Sequence, residues 1–158
     1  MNVRSNLLFG VLLIAAVSSP ACAETREIPD CYDAVVVAKI MRQTPSVFPD
    51  SNDGYIIMVW PWFLKLEVRR AVSGAVPNGP LVVQSMQHTS FRKNLGSRRW
   101  WLRRNSLGGY NLLRFAESER LSKCSADGHL AEPYIRPGPG QTIDSLLSDG
   151  DRAYRARP

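Results

Sequence analysis

Hydrophobic positions between Asp33 and Phe115 either alternate with a period of two or form short β-branched runs, and neither pattern suits a long amphipathic helix. The first run, 33-DAVVVAKIM-41, predicts a central strand with Val35 and Val37 on one face and Val36, Ala38 and Ile40 on the other. The turn-rich stretch 43-QTPSVFPDSNDG-54 separates it from 55-YIIMVW-60, a β-prone run interrupted by Pro61, where an edge or a bend is expected. In 63-FLKLEVRRAV-72, Leu64, Leu66, Val68 and Val72 alternate with Lys65, Glu67 and Arg69, the pattern of a strand buried on one face. The turn 73-SGAVPNGP-80, the strand 81-LVVQSMQ-87 and the loop 89-TSFRKNLGS-97 then lead to 98-RRWWLRR-104. Gly108 and Gly109 separate that stretch from 110-YNLLRF-115, a hairpin signal.

Five or six strands joined by short turns imply an all-β fold. At this size the expected solution is a small closed barrel, because closure removes unpaired edges. After the barrel, 133-PYIRPGPG-140 is an extended tail held by prolines, and 142-TIDSLLSDGDRAY-154 predicts a short C-terminal helix packed on the barrel. Thr142 can cap that helix, Asp144 favours its first turn, and Ile143, Leu146 and Leu147 share an apolar face. Gly150 is expected to weaken its second half.

The N-terminus changes the picture of compartment. Arg4, the apolar run 7-LLFGVLLIAAV-17 and the small-x-small 21-ACA-23 make residues 1–23 a secretory signal, with cleavage expected after Ala23. Cleavage before Cys22, leaving a lipid on that cysteine, is the weaker alternative, because 19-SPAC-22 lacks the usual apolar residue three before the cysteine. No other apolar segment is long enough to cross a bilayer, so an exported, periplasmic or extracellular protein is expected. Residues 24–136 would form the barrel domain and 137–158 the Pro/Gly-rich tail and helix. Cys31 and Cys124 remain after the signal is removed, and an even pair in an exported chain implies one disulfide.

Charge is unevenly spread. The chain carries a formal +6, yet from Val68 to Ala116 there is no Asp or Glu, while nine Arg and Lys residues fall in that span. Such asymmetry implies a face of positive potential that attracts anions. Within it, 96-GSRRWWLRRN-105 interleaves arginine and tryptophan. As a strand it would turn Trp100 and Leu102 into the barrel and leave Arg99, Trp101 and Arg103 on the other face, with the indole stacked between guanidinium groups. That stacking is by itself a structural reason for these residues and the first reading of the stretch; read instead as a binding face, it gives the contact set Arg92, Lys93, Arg98, Arg99, Trp101, Arg103 and Arg104. In an exported protein its partner would be an anionic envelope component rather than cytosolic nucleic acid. Trp60 and Trp62 also share a face. They are read first as core aromatics and, if exposed, as candidates for protein contact.

The cysteine before 33-DAVVVAKI-40, the long strand ending in a glycine turn in 66-LEVRRAVSG-74, then 81-LVVQS-85, an aromatic strand pair and a second cysteine together resemble the netrin-like domains. That group includes the tissue inhibitors of metalloproteinases and many exported bacterial proteins. The resemblance spans Cys31 to Cys124 and implies a five-stranded OB-like barrel. The inhibitors of that family chelate a protease zinc through a cysteine at the mature N-terminus. Here the expected first residue is Glu24 and Cys31 lies further in, so that mechanism is not implied.

Enzymatic constellations are sparse. His88 lies near Ser90 without a nucleophile elbow or an evident acid partner, and Cys124, Asp127 and His129 would need a further ligand to hold zinc. No metal site and no cofactor are therefore expected. The expectation is a non-enzymatic binding or interaction module. The alternative is an inhibitor or accessory subunit of an envelope enzyme, acting through the loop 44–54 and the corner at 60–63.

Overall fold

A computed structural model describes residues 31–47, 59–88, 96–113 and 120–156. The described residues form seven strands and a helix: β1 (Cys31–Tyr32), β2 (Ala34–Pro45), β3 (Trp60–Ser73), β4 (Gly79–Gln87), β5 (Arg98–Arg104), β6 (Tyr110–Leu112), β7 (Ser122–Lys123) and α1 (Ile143–Arg155). Five strands close in the order β2-β3-β4-β6-β5. Neighbours are antiparallel except β4 and β6, which run parallel. Among barrel strands this order is first, second, third, fifth, fourth, and the fold is an OB-like closed barrel with a short C-terminal helix.

The barrel interior is filled as alternation requires. Ala34, Val36 and Ala38 of β2 meet Leu64, Leu66 and Val68 of β3, Val83 of β4, Trp100 and Leu102 of β5 and Leu112 of β6. Two bulges correct the expected pattern. The β2–β3 register shifts between Val37 and Ala38 and again between Val35 and Val36, so Val72 drops out of the buried face and is 43 % exposed. Strand β2 also runs on to Pro45, past the expected end at Met41. Beyond its own bulge, Gln43 and Pro45 stand opposite Leu64 and Trp62.

Pro61 does not break β3. Its carbonyl accepts from the backbone N–H of Ser46 at 3.0 Å and from the Ser46 hydroxyl at 2.9 Å, just past the end of β2. The missing N–H faces that same side, just beyond Pro45 and Trp62, the last paired residues of β2 and β3 among the described residues. The expected strand over 55–60 lies outside the described residues apart from its end.

At the other end of the barrel, Gly74 ends β3 with φ +79°, and a Cβ there would lie 2.5 Å from the carbonyl oxygen of Asp33. Only glycine fits both the left-handed backbone and that approach. Beside it, β1 pairs in parallel with β7, and Cys31 and Cys124 form a disulfide that ties the start of the barrel to the chain leaving it.

The segment His129–Ile135 then crosses the outside of β5, β6 and β4 as a strap. Ala131 exchanges backbone hydrogen bonds with Arg104 and Ser106, the Asn111 amide donates to the Glu132 carbonyl, and the Gln84 amide pairs at two points with the backbone of Ile135. Polar side chains on an outer face are thereby buried without being left unsatisfied.

Helix α1 has the expected cap. Thr142 and Ser145 form a reciprocal capping box, and Asp144 occupies the first turn. The helix continues through Gly150 to Arg155, and that glycine seats it. It is the buried residue of α1, and a Cβ there would come within 2.3 Å of the Pro45 carbonyl oxygen. Asp151 completes the junction by accepting from the Thr44 hydroxyl at 2.8 Å and pairing with Arg42.

Candidate functional site

The four arginines of β5 go to different places. Pairing with β2 sets their directions: Leu102 faces Ala34 and Trp100 faces Val36 inside the barrel, while Trp101 faces Val35 and Arg99 faces Val37 outside it. Arg98 is exposed and stacks on Trp100, its guanidinium carbon 5.5 Å from the ring centroid, and the Trp100 indole N–H donates to the Ala38 carbonyl at 2.9 Å. Arg98 thus stacks on the inward neighbour of Trp101, at the start of β5.

Arg99 is exposed, and the strand order gives it a companion. Val37, opposite Arg99 on one side, is opposite Arg70 of β3 on the other. Arg99, Val37 and Arg70 form a row across three strands, with the two arginine backbones about 10 Å apart by the usual strand spacing. Neither arginine makes an ion pair among the described residues. In the neighbouring row Lys39 stands opposite Glu67, both exposed. The half-buried Trp101 lies beside the row on the same outer face.

Arg103 corrects the expected contact set. It points outward as the alternation requires, but the strap covers it, and it is 6 % exposed. Its Nη1 donates to Asp33 Oδ2 at 2.9 Å and to Cys124 Sγ at 2.8 Å, and its Nη2 donates to the His129 carbonyl. Asp33 Oδ2 also accepts from the Arg104 backbone N–H at 2.7 Å. A guanidinium so enclosed is a structural joint between barrel, disulfide and strap, and a ligand arriving from solvent does not meet it. Arg104 is exposed beyond the strap, at the barrel end beside the β5–β6 hairpin. Asn105 shapes that hairpin: its Oδ1 accepts from the backbone N–H groups of Leu107 and Gly109, and its amide donates to Asn111. Arg92 and Lys93 lie outside the described residues.

The aromatic corner is likewise divided. Trp62 is 3 % exposed, belongs to the core, and meets Tyr154 of α1 edge to face at 6.4 Å between centroids. It is therefore a core aromatic, closed to an outside partner by the barrel and the helix. Trp60 is half-buried, packs against the core and donates its indole N–H to the Ser46 carbonyl at 3.0 Å. Most of the loop 44–54 lies outside the described residues, as does Ser90, while His88 is exposed at the end of β4.

Sequence reasoning missed Arg70 as a member of the outer row. The acid-free span contained it, but its position beside Arg99 depends on β2 lying between β3 and β5, which the pattern along the chain does not specify. Among the described residues no group of three or more His, Cys, Asp or Glu could hold a metal ion, and no helix is long and apolar enough to cross a membrane. No family model, no curated protein and no solved structure matches the chain.

Proposed function

We propose that the protein is an exported, non-enzymatic interaction module, netrin-like in type, that binds an anionic component of the cell envelope on the outer face of β5, β2 and β3. The observation that carries this is the row of Arg99, Val37 and Arg70, in which two arginines without ion-pair partners among the described residues flank an apolar residue on the sheet. An extended polyanion laid across the strands would meet both guanidinium groups, with Trp101 offering an indole alongside. The netrin-like assignment draws support from the OB-like strand order, from the glycine turn at Gly74 and from a disulfide that joins the chain entering the barrel to the chain leaving it. Export draws support from that same disulfide and from the signal pattern of residues 1–23.

The test is a salt titration of the oxidised, secreted protein against a sulfated glycan, anionic lipid vesicles and single-stranded DNA. It is run beside the double variant Arg99→Gln, Arg70→Gln, with Arg103 left in place because the fold uses it. Binding to glycan or vesicle that falls with salt and weakens at least tenfold in the variant is expected. Weak binding that is equal in both proteins would discard the row as a polyanion site and turn the search to a protein partner.

A further inference from the structure

At the end of the barrel where Arg104 emerges there is an open groove of about 680 Å³. Its walls come from separate parts of the chain: the Gly74–Ala75 turn, the start of β6 at Tyr110, and the Lys123–Ala126 segment held by the disulfide. Arg104 and Lys123 both line it and are exposed, and neither has an ion-pair partner among the described residues. The acid in the lining is Asp33, whose Oδ2 is already engaged by Arg103 Nη1 at 2.9 Å and by the Arg104 backbone N–H at 2.7 Å. The groove thus presents two free cations with its carboxylate neutralised. Tyr110, half-buried and packed against the barrel core, also lines the groove, and the exposed Ser125 brings a hydroxyl to it.

The geometry points to a binding site for an acidic saccharide unit, its carboxylate held between Arg104 and Lys123 and its ring lying along Tyr110. A sugar ring suits an open groove whose lining mixes small residues such as Ala75, Gly108 and Ala126 with polar ones, because hydroxyls and a small apolar face can both be satisfied there. An acyl chain would find no deep apolar channel among these lining residues. The site shares with the function proposed above only the sign of the ligand's charge, since it uses neither Arg99 nor Arg70.

The probe is digalacturonic acid, with its dimethyl ester as the uncharged control, titrated into the isotopically labelled secreted protein and followed by amide NMR shifts. Saturable shifts at Tyr110, Lys123 and Ser125 with the acid are expected, along with at least tenfold weaker binding of the ester. The variant Arg104→Gln, Lys123→Gln should weaken binding of the acid at least tenfold, and Arg99→Gln, Arg70→Gln should leave it within about twofold. If the double groove variant loses its folded spectrum, Lys123→Gln alone serves, with a loss of at least threefold expected. Absence of saturable shifts at the groove, equal binding of the ester, or tighter binding of a tetraglutamate peptide than of the acid would each overturn the proposal. Long-polyanion binding that is lost only in the Arg99 and Arg70 variant, together with no saturable groove shifts from the acid, would leave the outer row standing while the groove fell.

Discussion

Arg99 and Arg103 share a strand, a face and a side-chain type, yet the fold uses them in opposite ways. Arg103 is enclosed by Asp33, the disulfide sulfur and the strap, whereas Arg99 faces outward with no ion pair among the described residues. Replacing Arg103 with Met would leave Asp33 under the strap without its cation, and a loss of roughly 2–4 kcal/mol is expected. Arg99→Gln should change stability by no more than about 0.5 kcal/mol. Urea denaturation of the two variants compares them directly, and equal small effects would return Arg103 to the surface. Gly150 poses a sharper question of sign. Helix propensity alone says that Gly150→Ala stabilises by about 1 kcal/mol. The approach of the Pro45 carbonyl, 2.3 Å from the added Cβ, says that it destabilises, by roughly 1–3 kcal/mol through displacement of α1. The second outcome is expected, and a stabilised variant would mean that α1 is not seated on β2 at this residue.

At the scale of elements, the disulfide and the strap act together. Cys31 and Cys124 are 93 residues apart, so in the chain-entropy picture their bond stabilises the fold by roughly 4–5 kcal/mol. Reduction should lower the urea midpoint accordingly, and mass analysis of the alkylated protein should find no free thiol at these two positions before reduction. The strap is held by backbone exchange at Ala131 and by the two-point pairing of Gln84 with Ile135. Gln84→Ala removes that pairing, so hydrogen exchange at the Ile135 amide should rise at least tenfold while the amides of β2 and β3 stay protected. Equal exchange in both proteins would mean that the strap is held from elsewhere.

At the scale of the whole molecule, the acid-free span is divided by folding rather than gathered into one patch. Arg99 and Arg70 come together across β2, Arg104 emerges at a barrel end beside Lys123, and Arg103 is turned to structure. Binding of a long polyanion should therefore depend on salt through a few charges. The slope of log affinity against log salt should be shallower in the Arg99→Gln, Arg70→Gln variant than in the parent. An unchanged slope would place the contacts on other cations.

The amino-acid sequence by itself determined the elements and their inward faces. Period-two alternation placed Leu64, Leu66 and Val68 inside on one strand and Trp100 and Leu102 on another, and Thr142 marked the start of the helix, because these signals are local. The disulfide could be assigned by counting. What only the tertiary structure decided is non-local: that Pro61 continues β3 just beyond the last described β2–β3 pair, that two bulges expose Val72, that Gly150 meets Pro45, that a distant strap covers Arg103, and that Val37 brings Arg70 beside Arg99. Alternation reports which side of a strand a residue faces. What covers that side, and which strand lies next to it, is settled by chain closure and long-range packing, and on that depended which of these arginines could meet a ligand.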